Sequence, residues 1–168
     1  MYRGICAMER ESHPKIVDDG KKQELESLLK ELFAMQRFAV LATQNNGQPY
    51  TNLVAFAVTE DLKSLLFATP RATRKFANLT NDAQVAMMID NRENKAADLH
   101  DAVAVAAMGT AEEVVGPEKE ALLKVYISKH PHLEAFARAP SCALLKLSVE
   151  RYDIARKFQN VMELRMMP

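Results

Sequence analysis

Seven consecutive residues, Thr69-Pro70-Arg71-Ala72-Thr73-Arg74-Lys75, put two hydroxyls and three cations at a single turn. The run before them, Leu65-Leu66-Phe67-Ala68, reads as a strand, and Phe76 and Leu79 after them have helical spacing. A strand-to-helix turn offers unpaired backbone N–H groups and the positive end of a helix dipole. Arg and Lys added there make a seat for a phosphate, with Arg71 a third cation in reach. Thr is also a favoured N-cap, so local sequence fits a capped, solvated helix start equally well. The two readings are compatible, because a cap can also hold a ligand.

Other chemistry-bearing residues form no comparable group. His130 and His132 flank Pro131 without a Cys or third His nearby, and are expected to be a helix-breaking, surface-exposed pair. No metal site is expected, and no acid/base or nucleophile constellation is present. The five glycines, at 4, 20, 47, 109 and 116, spell neither a dinucleotide fingerprint nor a P-loop. Met87 and Met88 are expected to point to opposite faces of one strand.

Composition narrows the partners. The 22 basic and 22 acidic residues cancel, so no global field draws the chain to nucleic acid or an anionic membrane. No apolar run approaches a membrane span, and Met1 to Gly20 lacks a signal-peptide core, so a cytoplasmic location is expected. Cys6 and Cys142 make neither a disulfide framework nor a zinc site.

The elements that must position the turn follow from pattern. Residues 1–20 read as an N-terminal arm and 21–168 as a single domain. Leu25, Leu28, Leu29, Leu32 and Phe33 give one apolar face to a helix over 21–36. Strands are expected over 38–43, 50–59 and 64–68, with a hairpin turn at Asn45-Asn46-Gly47. A short helix at 73–81 leads to a strand over 84–90, a polar connection, and a long strand over 102–115 in which Gly109 marks a bulge. Gly116-Pro117 starts a helix with Pro at its first position. Two strands, 142–149 and 152–158, close the chain. Few parallel units and several hairpin signals favour a mainly β fold: a six- to seven-stranded antiparallel barrel with flanking helices.

The ordered words Phe38-Ala39-Val40-Leu41-Ala42-Thr43, Gly47-Gln48-Pro49, Val54-Ala55-Phe56, Leu66-Phe67-Ala68-Thr69, Thr73-Arg74-Lys75, Asn78-Leu79, Val85-Ala86-Met87-Met88-Ile89 and Ala107-Met108-Gly109-Thr110-Ala111 carry a resemblance. Over about residues 37–115 the chain resembles the pyridoxamine 5′-phosphate oxidase-like flavin-binding split barrels. The resemblance implies a split barrel and a homodimer with FMN at the subunit interface. It implies that Thr73, Arg74 and Lys75 grip the FMN phosphate, with Ala68 and Thr69 beside them. Asn52, Leu53, Val54, Ala55 and Phe56 would flank the flavin ring. The oxidase proper carries an Arg and a Lys on this second strand, where this chain has Leu53 and Val58. Its substrate-phosphate residues near the C-terminus are also not found, which argues against vitamin B6 oxidation. Asn91 or Arg92 is expected to supply a replacement cofactor contact. The implied function is an FMN-dependent oxidoreductase acting on a small molecule. The alternatives are a non-catalytic flavin or redox-sensing module, or the same barrel holding F420 or haem through His100 or His130.

Overall fold

The computed structural model describes residues 19–156 and 160–166. Most of the expected N-terminal arm, with Cys6 and His13, lies outside these described residues. Helix α1 (Asp19–Met35) comes first, followed by β1 (Phe38–Asn45) and β2 (Gln48–Val58). Asn46 (φ 49°) and Gly47 (φ 80°) form the two-residue turn between these strands. Positive φ at both positions matches the twist of the flanking strands and sets their register, with Thr43 opposite Tyr50 and Leu41 opposite Asn52. Next come β3 (Ser64–Pro70), α2 (Arg74–Asn81), β4 (Gln84–Asp90), α3 (Asp98–Asp101) and β5 (Val103–Glu113). Then follow α4 (Lys119–Lys129), a 3₁₀ turn (Pro131–Leu133), α5 (Glu134–Ala137), β6 (Cys142–Arg156) and β7 (Asn160–Arg165).

All pairings are antiparallel, in the order β3-β2-β1-β4-β5-β6-β7, and β3 also pairs with β6. That last pairing closes six strands into a barrel and leaves β7 outside it. Two unopposed edges are thereby removed. The closure is incomplete on one side. The β2–β3 ladder covers only Phe56 to Val58 against Leu65 to Phe67, and beyond it the strands part. This is the split, and α2 follows β3 directly beside it.

The two closing strands expected at 142–149 and 152–158 are instead one 15-residue strand, β6. The pattern breaks because β6 is bulged: Gly109 faces Val149, Met108 faces Arg151, and Glu150 has no opposite residue. Gly109 is required there, since a Cβ would stand 2.0 Å from the Ser148 carbonyl oxygen. Past the bulge, β6 gives its free side to β7, a strand at 160–165 that the pattern did not reveal; residues 157–159 are not described. Nor is Pro117 the first helical residue. Gly116 takes φ 75° and α4 begins at Lys119.

The barrel interior and α1 share one core. Leu25, Leu29, Leu32 and Phe33 of α1 pack with Leu41, Phe56, Phe67, Met87 and Ile154. Phe33 sits edge-on to Phe56 at 5.8 Å. A second cluster lies outside the barrel, where Leu123 and Tyr126 of α4 and Ala137 of α5 cover Ala57, Leu66 and Leu144. Cys142 is buried, as its apolar surroundings predict. His130 departs from expectation: it is buried, packs on Tyr126, and bonds through Nε2 to the Phe56 carbonyl at 2.8 Å. Burial lowers its pKa. Its Pro131 neighbour ends α4, and the ring turns inward to satisfy a strand carbonyl, while His132 stays exposed.

Candidate functional site

Strand β3 ends in Thr69 and Pro70, and the chain turns into α2 through Thr73. Thr73 is the N-cap: its Oγ1 accepts from the Phe76 N–H at 3.4 Å and donates to the Pro70 carbonyl at 2.9 Å. Thr69, fully buried, places its Oγ1 3.0 Å from that of Thr73. Lys75 Nζ donates to Thr69 Oγ1 at 3.3 Å. Two hydroxyls and one ammonium thus form a connected cluster at the N-terminus of α2. Arg74 lies over the Tyr50 ring, 5.1 Å from its centroid, which brings it to the start of β2.

The cluster lacks negative charge. Among the described residues, neither Arg74 nor Lys75 pairs with a carboxylate within salt-bridge distance. Burial without a counter-charge holds the Lys75 pKa below its ordinary value. An anion at this turn would relieve that penalty. Arg71, expected within reach of the same anion, is committed elsewhere. It pairs with Glu113 and donates to the carbonyls of Pro140 and Cys142 at 2.7 and 3.0 Å.

The first half of β2 borders the split. Phe56 N–H donates to the Arg37 carbonyl, so Phe56, Val54 and Asn52 turn their amides toward β1. Leu53 and Ala55 turn theirs to the other side, where β3 no longer pairs. The side chains alternate the opposite way: Val54 and Phe56 are buried and Leu53 is exposed. Asn52 shares their inward face, and both atoms of its amide are buried without a hydrogen-bond partner. Such a group costs free energy until something satisfies it. Below α2, Asn78 Nδ2 donates to Thr43 Oγ1 at 3.0 Å, tying the helix to β1.

The structure brings together Thr69, Thr73, Arg74 and Lys75, with Ala68 adjoining them on β3. It sets Asn52 to Phe56 along the neighbouring border of the split. Asn91 and Arg92 lie apart, at the end of β4. Because β4 runs antiparallel to β1, that end lies near Phe38, away from Thr43 and α2. Asn91 Oδ1 accepts from the Val103 N–H at 2.7 Å, and Arg92 pairs with Asp90 at 3.2 Å. Tyr50 is the partner that sequence reading missed. Its signal was present, since the hairpin register and strand alternation put Tyr50 on the same face as Asn52. Among the described residues no group of His, Cys, Asp and Glu is placed to hold a metal.

Fold and site together define an antiparallel split barrel with a cationic, hydroxyl-lined turn at the split. The family model described as pyridoxamine 5′-phosphate oxidase matches residues 25–154, and the chain belongs to that family. No curated protein matches the chain. Solved structures share the fold. A haem-binding protein from Mycobacterium smegmatis superposes with TM-score 0.71 at 16% identity, covering 80% of this chain and 55% of its own. A protein of unknown function from Agrobacterium tumefaciens gives 0.69 at 22%, covering 87% and 62%. An FAD-binding protein from Mesorhizobium loti gives 0.62 at 15%, covering 76% and 90%. The chain therefore spans less than two thirds of the first two of these proteins.

Proposed function

We propose that this chain is an FMN-binding flavoprotein that works as an oxidoreductase on a small molecule, with the phosphate seated at Thr69, Thr73, Arg74 and Lys75. One observation carries the reading: a partly buried hydroxyl–ammonium cluster without a counter-charge, at a helix N-terminus beside the open border of β2. A phosphate monoester supplies the missing charge and accepts the available N–H and O–H groups. The flavin ring then lies along β2, where the backbone of Leu53 and Ala55 and the unpartnered Asn52 amide offer donors and acceptors. When bound, the flavin supplies the electron storage, and the protein's part is to orient it and exclude water. A homodimer completes this reading. Leu53, Val40, Met88 and Ala106 form one cross-strand row on the outer face, where Leu53 is 65% and Met88 37% exposed. α4 and α5 cover the opposite outer face and leave this one bare.

The haem alternative through His130 is disfavoured, because its Nε2 already bonds the Phe56 carbonyl. The test is the spectrum and mass of whatever co-purifies, followed by FMN titration. Replacing Arg74 and Lys75 together by Ala removes two charge-assisted contacts of about 1.5–3 kcal/mol each. FMN affinity should fall at least about a hundredfold. Unchanged affinity would put the phosphate elsewhere. Turnover with NADH or NADPH and candidate acceptors then separates an enzyme from a binding module.

A further inference from the structure

At the other end of β2 from the split, α1, the end of β2 and α4 line an open cavity of about 440 Å³. Phe33, Ala34, Ala57, Val58, Leu62 and Val125 give it an apolar wall, and Thr59, Ser128 and charged side chains line the rest. Lys129 of α4 enters it. Its Nζ donates to the Phe33 carbonyl at 2.7 Å, in the last turn of α1, and lies 3.8 Å from the centroid of the Phe56 ring. Both contacts are with neutral groups. Among the described residues no carboxylate comes within salt-bridge distance of Lys129, although Glu60 lines the same cavity. Lys30 also lines it, and the nearby Arg37 repels the ammonium. Half-buried cations are ordinarily paired, and this one has a second cation, Lys30, in the same cavity and a third, Arg37, nearby.

We propose that this cavity is a second ligand site, taking a small monocarboxylate with an apolar body whose head group pairs with Lys129. The apolar wall takes the body, and two cations, Lys30 in the cavity and Arg37 nearby, outnumber the one carboxylate, Glu60, and add attraction for the head group. No bond to the protein is made or broken. Without a ligand, burial first and Arg37 second push the Lys129 amine down to about 8. A bound carboxylate favours the ammonium, so binding takes up a proton wherever the amine is partly neutral. His130 lies beside Lys129 in sequence but turns to Phe56 and Tyr126. Its own pKa is lowered, so it stays neutral over this range.

The full chain should be titrated calorimetrically with octanoate and, as an uncharged match, with 1-octanol. Octanoate is expected to saturate at one per chain and bind at least tenfold tighter than octanol. Its affinity should drop about tenfold between pH 7 and pH 9, following an amine that titrates near 8. Lys129→Met, which keeps the apolar stem, should erase the preference over octanol, and Lys129→Arg should keep it without the pH dependence. Equal binding of the two probes, a pH-independent octanoate affinity, or no saturable binding overturns the proposal; these readouts need only the unaltered chain. Saturating FMN should leave octanoate affinity unchanged. Displacement by FMN would place the carboxylate in the flavin seat and also overturn it. Failure to bind FMN at all bears only on the flavin reading.

Discussion

Asn52 carries an amide that β2 buries without a partner. The penalty for such a group is about 1–3 kcal/mol, and removing both polar atoms in an isosteric apolar residue recovers much of it. Asn52→Leu should therefore raise the stability of the flavin-free protein by about 1 kcal/mol while weakening FMN. Chemical denaturation without flavin and FMN titration check the two halves separately. A loss of stability would mean that the amide is satisfied in solution. Lys129 makes the second residue-scale prediction. Its amine titrates near 8 in the fold against an ordinary 10.5, so the unfolded chain binds more protons between those values. Stability therefore rises with pH across that window, and the cost of the buried ammonium is complete below it. Lys129→Met abolishes this slope. The stability of the unaltered chain relative to the variant should climb by about 1 kcal/mol from pH 7.5 to 10, once solvent screening of a half-exposed group is allowed for. A difference that stays flat in urea melts across that range contradicts it. The Thr73 cap was legible from residue types alone. The diversion of Arg71 to Glu113 was not, because that partner lies 42 residues away and is brought in by the β3–β6–β5 pairing.

The bulge in β6 is the element on which barrel closure turns. Before it, Cys142 to Ser148 pair with β3; after it, Arg151 to Arg156 pair with β7. One extra residue, Glu150, accommodates the change in partner and increases the local twist. Gly109 permits the close approach, and Gly109→Ala sets a methyl against the Ser148 carbonyl, a backbone atom that cannot swing aside. Destabilisation of about 3 kcal/mol is expected, at the upper end of overpacking costs, read as a lower urea midpoint with an unchanged slope. A near-neutral result would show that the bulge relaxes. The sequence pattern located the glycine and its bulge yet divided β6 in two, because Glu150 interrupts the alternation that marks a strand. Helix α1 and the first hairpin were read correctly for the opposite reason. Leu25, Leu29, Leu32 and Phe33 keep one period throughout, and Asn46-Gly47 fixes its turn without help from distant residues. Helix α4 started two residues late because Gly116 takes positive φ, so Pro117 stays in the turn.

At the scale of the whole molecule, the two outer faces of the barrel differ. One is closed by α4 and α5 over Leu66 and Leu144. The other exposes Phe38 by 56% and Leu53 by 65% beside Val40, Met88 and Ala106. Strand alternation made this outward row readable in the sequence. Its bareness was not, since which face the C-terminal helices cover depends on where the chain crosses after β5. In the proposed homodimer this row meets its copy, and the split beside Leu53 lies at the rim of the contact. A charge placed at Met88 would be buried opposite its own image without a counter-charge. Met88→Glu should therefore raise the dimer dissociation constant about a hundredfold or more, seen by sedimentation across a dilution series. Because Met88 is 37% exposed on the strand surface, the isolated subunit should keep its fold and its circular dichroism. Flavin retention then separates two designs. If the site needs both subunits, FMN is lost in step with dissociation although Arg74 and Lys75 are intact. If the turn at α2 suffices, the monomer keeps FMN, and the second subunit serves stability alone.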